Sequence, residues 1–208
     1  MSIIFLPYKK IAEEAKKFLA KYHPEDKVPI PIEDIIEFDL KFDILPTENL
    51  QSNYDTDGFI TGDFTSIYVD EYVYKNRPNR YRFTLAHEVG HFVLHKNILK
   101  GHAIASVSSW KKYISEIDPK DYSDIEFQGY AFAGLLLVPP HHLKIHFDAN
   151  LHKTSTLIKQ AKNKNIKRED YLCYAKAALS RILAPRFEVS EEVITKRIEY
   201  DKLENQIP

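Results

Sequence analysis

Between Arg82 and His95 an apolar run is interrupted by two histidines and a glutamate. Phe83, Leu85, Ala86, Val89, Val93 and Leu94 surround the segment His87-Glu88-Val89-Gly90-His91. At helical spacing the two histidines fall one turn apart on one face. A helix this apolar is expected to be buried, and buried imidazoles and carboxylates are costly unless partnered. Whatever fold the chain adopts must therefore bring a partner to this helix. A metal ion is the economical one. Zinc accepts neutral imidazole nitrogen, and a catalytic site takes three protein ligands and keeps one position for water. Glu88, beside the pair, is positioned to take a proton from that water. Manganese and iron also suit two histidines and a carboxylate, so zinc is favoured by ligand type alone.

The third ligand is less determined. A third histidine in the same motif would require Gly at 94 and His at 97, where this chain has Leu94 and Asn97. His95, two turns after His87, drifts off the ligand face and reads as a residue supporting the ligands from behind. A carboxylate from a later helix is the other route, with Glu126 the best placed, at the start of an apolar stretch. Ser123-Asp124-Ile125-Glu126 also matches a capping box, in which the glutamate would serve only the helix start. The two readings are about even on these residues. Asp124, Glu116 and the histidines at 102, 141, 142 and 146 compete for the position.

The rest of the chain reads as strands early and helices late, an α+β class. A helix is expected over 7–22, a short one over 32–38 and a strand over 40–45. A hairpin is expected to turn at Gly62-Asp63, joining 59–61 to 64–69. Helices follow over 80–96, around 110–117, and over 123–138 until Pro139-Pro140 stops the last. Two more are expected at 171–183 and 190–203, the latter capped by Ser190. The organisation expected is a metallopeptidase-type domain over 1–140 and a helical subdomain over 141–208. The strand 64–69 reads as a sheet edge to which an extended substrate adds by backbone pairing.

Composition narrows the setting. The 208 residues carry 29 Lys+Arg against 30 Asp+Glu, so no bulk electrostatic footprint for nucleic acid exists. No stretch approaches a membrane span of about 18 apolar residues, and the amino terminus lacks the pattern of a signal peptide. With Cys173 the only cysteine, no intramolecular disulfide or cysteine-based zinc site can form, and a reducing cytoplasmic setting is expected. Cys173 itself reads as core.

The stretch Arg82-Phe83-Thr84-Leu85-Ala86-His87-Glu88-Val89-Gly90-His91-Phe92-Val93-Leu94-His95 resembles the signature helix of the ImmA/IrrE family of metallo-endopeptidases. Residues 125–139 resemble that family's second motif, roughly Glu-x-Gln-Ala-Asn-x-Phe-Ala-x-x-Leu-Leu-Met-Pro, with Gly129-Tyr130 for Ala-Asn and Val138 for Met. Phe187-Glu188-Val189-Ser190 and Arg197-Ile198 resemble its tail. The likeness covers about 55–205; the first 50 residues carry none of its motifs. It implies a zincin-like core with a small mixed sheet, one zinc ion held by His87, His91 and Glu126, and Glu88 as general base. It further implies a cytoplasmic protein substrate of the helix-turn-helix repressor type; composition and hydropathy lead us to expect neither membrane nor direct nucleic-acid binding. Tyr130, His141 and His142 are the candidate oxyanion donors, although His141-His142 with His146 reads more simply as a solvated helix start.

Two other functions compete. A non-catalytic metal-binding interaction module would keep the histidines without needing Glu88. A DNA-binding regulator would use the C-terminal helices through Lys162, Lys164, Lys167, Arg168, Lys196 and Arg197, but Glu188, Glu191, Glu192, Glu199 and Glu204 dilute that charge.

Overall fold

A computed structural model describes residues 5–100 and 102–208. These form two units, the first ending at Leu137 and the second beginning at Val138.

In the first unit α1 (Tyr8–Tyr22) buries Ile11, Ala15 and Phe18, the stripe its apolar spacing predicts. After it, α2 (Ile32–Asp34) runs into a π-helical turn, Ile35–Leu40, ended by Lys41 in the left-handed region. The strand β1 (Asp43–Thr47), helix α3 (Leu50–Tyr54) and strands β2 (Gly58–Ile60) and β3 (Ser66–Asp70) follow. The sheet order is β1-β3-β2, with β1 parallel and β2 antiparallel to β3. The strand expected at the edge is therefore central, and β1 and β2 form the two edges. The hairpin loop is also longer than two residues. Asp63 accepts hydrogen bonds from the hydroxyls of Thr61 (2.6 Å) and Thr65 (2.9 Å), which gathers 61–65 into a wider turn.

After α4 (Glu71–Asn76), the helix α5 (Pro78–Leu99) starts on a proline, which needs no hydrogen-bond partner there. Its residues 84–91 are buried on every side. The strands β2 and β3 cover it on one side and α7 (Pro119–Leu137) packs along another, with α6 (Val107–Glu116) between them in sequence. Gly90 and Gly129 let α5 and α7 approach closely. A Cβ on Gly90 would come 3.3 Å from Gly129 Cα, and one on Gly129 would come 2.8 Å from the His87 ring. Phe132, fully buried on α7, meets Phe18 of α1 edge-on at 6.1 Å.

The start of α7 lies a full turn earlier than Ser123. Asp118 caps it, accepting from the backbone N–H of Lys120 (2.8 Å) and more weakly Asp121 (3.4 Å). Ser123 and Glu126 are thus interior helix residues, and no capping box forms between them.

The second unit is helical: α8 (Pro140–Leu151), a 3-10 turn (His152–Thr154), α9 (Ser155–Asn163), α10 (Arg168–Phe187) and α11 (Glu191–Tyr200), closed by a 3-10 turn at Leu203–Gln206. Ser190 caps α11, accepting from Val193 N–H at 3.3 Å. Two of the cations a DNA reading would use are internal fasteners. Arg168 donates to the carbonyls of Glu204 (3.2 Å) and Ile207 (2.9 Å), and the buried Arg197 pairs with Asp201 at 2.7 Å. Cys173 is exposed, contrary to the expectation of core. The buried face of α10 runs through Tyr171, Ala175, Leu179 and Leu183, and Cys173 sits about 200° round the helix from Tyr171. No helix among the described residues is long and apolar enough to cross a membrane.

Candidate metal centre

On α5, one helical turn brings His87 and His91 side by side with their Nε2 atoms 2.9 Å apart. From α7, the two carboxylate oxygens of Glu126 reach them, Oε2 at 3.3 Å from His87 Nε2 and Oε1 at 3.4 Å from His91 Nε2. Ligand atoms held about 2.0–2.2 Å from a tetrahedral zinc lie roughly 3.3 Å from one another. The two glutamate distances match that spacing, and the two imidazole nitrogens stand slightly inside it, so a small separation of the rings admits an ion. The donor set fits a divalent cation. Glu88 also approaches the histidines, within 4.8 Å, but Glu126 is closer to both.

The same three groups are electrostatically coupled. Burial alone would raise the Glu126 carboxyl, but its bonds to His87 and His91 hold it far below the usual carboxylate range. Burial would likewise depress His87, and Glu126 outweighs it and raises that imidazole. Glu88 is 4 % exposed, and its burial raises its carboxyl against the pull of His91, His87 and the Ile60 backbone N–H. A carboxylate made more basic by burial is the kind a general base requires.

His91 is oriented from behind. His91 Nδ1 lies 3.0 Å from His95 Nδ1, and His95 Nε2 lies 3.2 Å from Gln128 Oε1. Burial, then the neighbouring His91, pushes His95 down to about 3, so it is neutral. Gln128 Oε1 can only accept, so His95 carries its proton on Nε2 and accepts at Nδ1. His91 then donates from Nδ1, and its Nε2 lone pair is left for a metal. His87 has no such support: its Nδ1 is buried without a partner. Packing holds it instead, between Gly129 and the ring of Tyr130, whose centroid is 4.4 Å away.

A cleft of about 370 Å³ opens over these residues, bordered by β2, Arg80, Trp110, Tyr113, Tyr122 and Tyr130. Asp57 and Arg80 form an ion pair at 2.7 Å on its polar wall. Along β2, Asp57 C=O accepts from Asp70 and Thr61 N–H donates to Ser66. In an antiparallel pair this alternation turns 57, 59 and 61 towards β3, and Gly58 and Ile60 towards the outer edge, where the Gly58 carbonyl accepts from the Thr56 hydroxyl at 2.9 Å and the Ile60 N–H faces Glu88.

The structure thus brings His87, Glu88, His91 and Glu126 together, with His95 behind them. Tyr130 sits at the mouth of the cleft, 56 % exposed. His141 and His142 open α8 in the other unit, their rings 4.1 Å apart. Of the rival ligands, Asp124 pairs with Lys120 at 3.0 Å and His102 packs on the ring of Tyr113 at 4.5 Å. Sequence reasoning missed the support that Gln128 gives His95, the place of Tyr113 in the cleft wall and the edge position of β2. Only Gln128 carried a signal, as the third residue of the second motif.

An α+β core with a short mixed sheet, a buried His-Glu-x-x-His helix and a glutamate from the next long helix define a zincin-like metallopeptidase. The profile of the IrrE N-terminal-like domain, peptidase family M78, matches residues 41–199, and the chain belongs to that family. A search of curated proteins returns no match.

Proposed function

We propose that this protein is a zinc-dependent endopeptidase of the cytoplasm that cleaves an extended segment of a partner protein, a repressor of the helix-turn-helix type. The carrying observation is the convergence of Glu126 with the His87–His91 pair at 2.9–3.4 Å beside an open cleft and a free basic carboxylate. His87, His91 and Glu126 would hold the ion, which when bound supplies Lewis-acid polarisation of the scissile carbonyl and a water acidified towards pH 7. Glu88 takes the proton as water adds to the carbonyl carbon, and delivers it to the leaving amine as the C–N bond breaks. The outer edge of β2 lines the cleft, which supports short backbone pairing with an extended substrate and allows weak side-chain selectivity. The lone cysteine of the chain is consistent with a reducing compartment. The repressor class comes from the family likeness, and the net charge of -1 favours a protein over a nucleic acid as partner.

The test is proteolysis of a candidate repressor by zinc-loaded protein, wild type against Glu88→Gln, with products read by mass spectrometry. Glu88→Gln is expected to keep its metal and lose about 10²–10⁴-fold in rate. Equal cleavage by both would remove Glu88 from the chemistry. Metal-loaded wild type that cleaves nothing would favour the interaction module.

A further inference from the structure

Among the described residues of the first unit, the hydroxyl of Tyr113 is buried without a hydrogen-bond partner. The residue is 9 % exposed, stands on α6, and lines the cleft together with Glu88 and Glu126. A buried hydroxyl with nothing to bond costs free energy, and phenylalanine would fill the same space without that cost. Packing against His102 therefore accounts for the ring and leaves the oxygen unexplained. The phenol keeps its proton: burial, and then the charge of Glu126, raise it above its ordinary range.

Two other tyrosines border the cleft. Tyr130 lays its ring over His87 and is largely exposed, and Tyr122 is half-buried; neither has a buried hydroxyl lacking a partner. The helix that carries Tyr113 is well fixed. Ser106 and Ser109 close a reciprocal capping box at its start, and Trp110 stacks on Phe59 of β2 at 5.5 Å.

We propose that Tyr113 is a catalytic residue that donates a hydrogen bond to the oxygen of the scissile carbonyl as negative charge develops there. The inference rests on the peptidase reading above. As the water oxygen bonds to the carbonyl carbon, the π pair moves onto the carbonyl oxygen, and Tyr113 donates to it without releasing its proton. When the C–N bond breaks, that pair re-forms the C=O bond and the amine leaves with the proton carried by Glu88. A donor aimed at developing charge lowers the barrier because it binds the transition state more tightly than the substrate.

Trp110, the single tryptophan of the chain, reports occupancy of the cleft by fluorescence. Zinc-loaded wild type and Tyr113→Phe are titrated with an N-phosphoryl-leucyl dipeptide, a tetrahedral oxyanion, and with acetohydroxamate as a small metal-binding control. Zinc content, thermal midpoint and peptidase kinetics are measured on the same samples. Tyr113→Phe is expected to keep its zinc, to melt at the same temperature or higher, and to bind acetohydroxamate as wild type does. It should bind the phosphoryl dipeptide about ten- to hundredfold more weakly, and lose about 10²–10³-fold in kcat with KM little changed. Equal affinity of both proteins for the phosphoryl dipeptide overturns the assignment, as does failure of wild type to bind it. Failure of zinc-loaded wild type to hydrolyse any peptide strikes the peptidase reading itself, whereas hydrolysis at equal rates by both proteins strikes Tyr113 alone.

Discussion

His91 is supported from behind by a chain of two hydrogen-bonding side chains and His87 on that side by packing, so the two candidate ligands should respond differently to mutation. Replacing His95 by Phe removes the acceptor that fixes the His91 tautomer, and replacing Gln128 by Met removes the acceptor that fixes the tautomer of His95. Support of this kind is typically worth 10–100-fold in metal affinity. Each variant is expected to weaken zinc by about that factor in a chelator competition at equilibrium, with the fold retained; unchanged affinity would mean that His95 merely fills space. The pattern His-Glu-x-x-His was legible because its chemistry is local to one helical turn. The roles of His95 and Gln128 were only half legible, since a residue that acts through another is fixed by an inter-helix distance that no spacing in the chain encodes. Tyr113 left no trace in the sequence for the same reason: α6 reads as an ordinary amphipathic helix, and what distinguishes the hydroxyl is what surrounds it. Cys173 was misplaced because the Ala-rich stretch of α10 offers two plausible apolar faces, and only packing chooses the one through Tyr171 and Leu179.

At the scale of elements, the decisive question is what Glu126 does for α7. Asp118 provides the cap, and Glu126 lies two turns inside. Asp118→Ala is expected to cost about 0.5–2 kcal/mol of stability while leaving metal content intact. Ser123→Ala should do neither, because Ser123 caps nothing. Destabilisation by Ser123→Ala together with normal metal retention in Glu126→Ala would restore the capping box. The sequence-level signal here was a true pattern in the wrong place. Ser-x-x-Glu occurs at a helix start when the residues before it break the helix, and Pro119 instead begins one. The sheet shows the same limit. The strand β3 alternates well enough to stand at an edge or a centre, and its central position depends on β1 pairing in parallel from more than twenty residues earlier. Proline substitutions at Ser66 or Tyr68 would therefore break the ladder, and tests of substrate pairing belong on β2.

For the molecule as a whole, the site couples two long helices that share one buried interface. An ion bridging α5 and α7 would bind the folded state and not the unfolded one, and would stabilise it by about 4 kcal/mol at a thousandfold excess over Kd. Chelation is expected to lower the thermal midpoint, with hydrogen-exchange protection lost first in residues 84–91 and 125–132. Unchanged protection there after complete metal removal would show that packing alone holds the interface. The family match begins at residue 41, earlier than any motif read from the sequence, because β1 contributes backbone pairing to the sheet and no chemistry of its own.

The central claim is that Glu126 is the third ligand of a metal held by His87 and His91. Elemental mass spectrometry of wild type and Glu126→Gln, both purified without chelators, tests it most directly. Near-stoichiometric zinc in wild type and a sharp fall in the variant is the predicted result. Zinc retained at wild-type level in Glu126→Gln would contradict it and send the third ligand elsewhere. Absence of metal from both would remove the site itself.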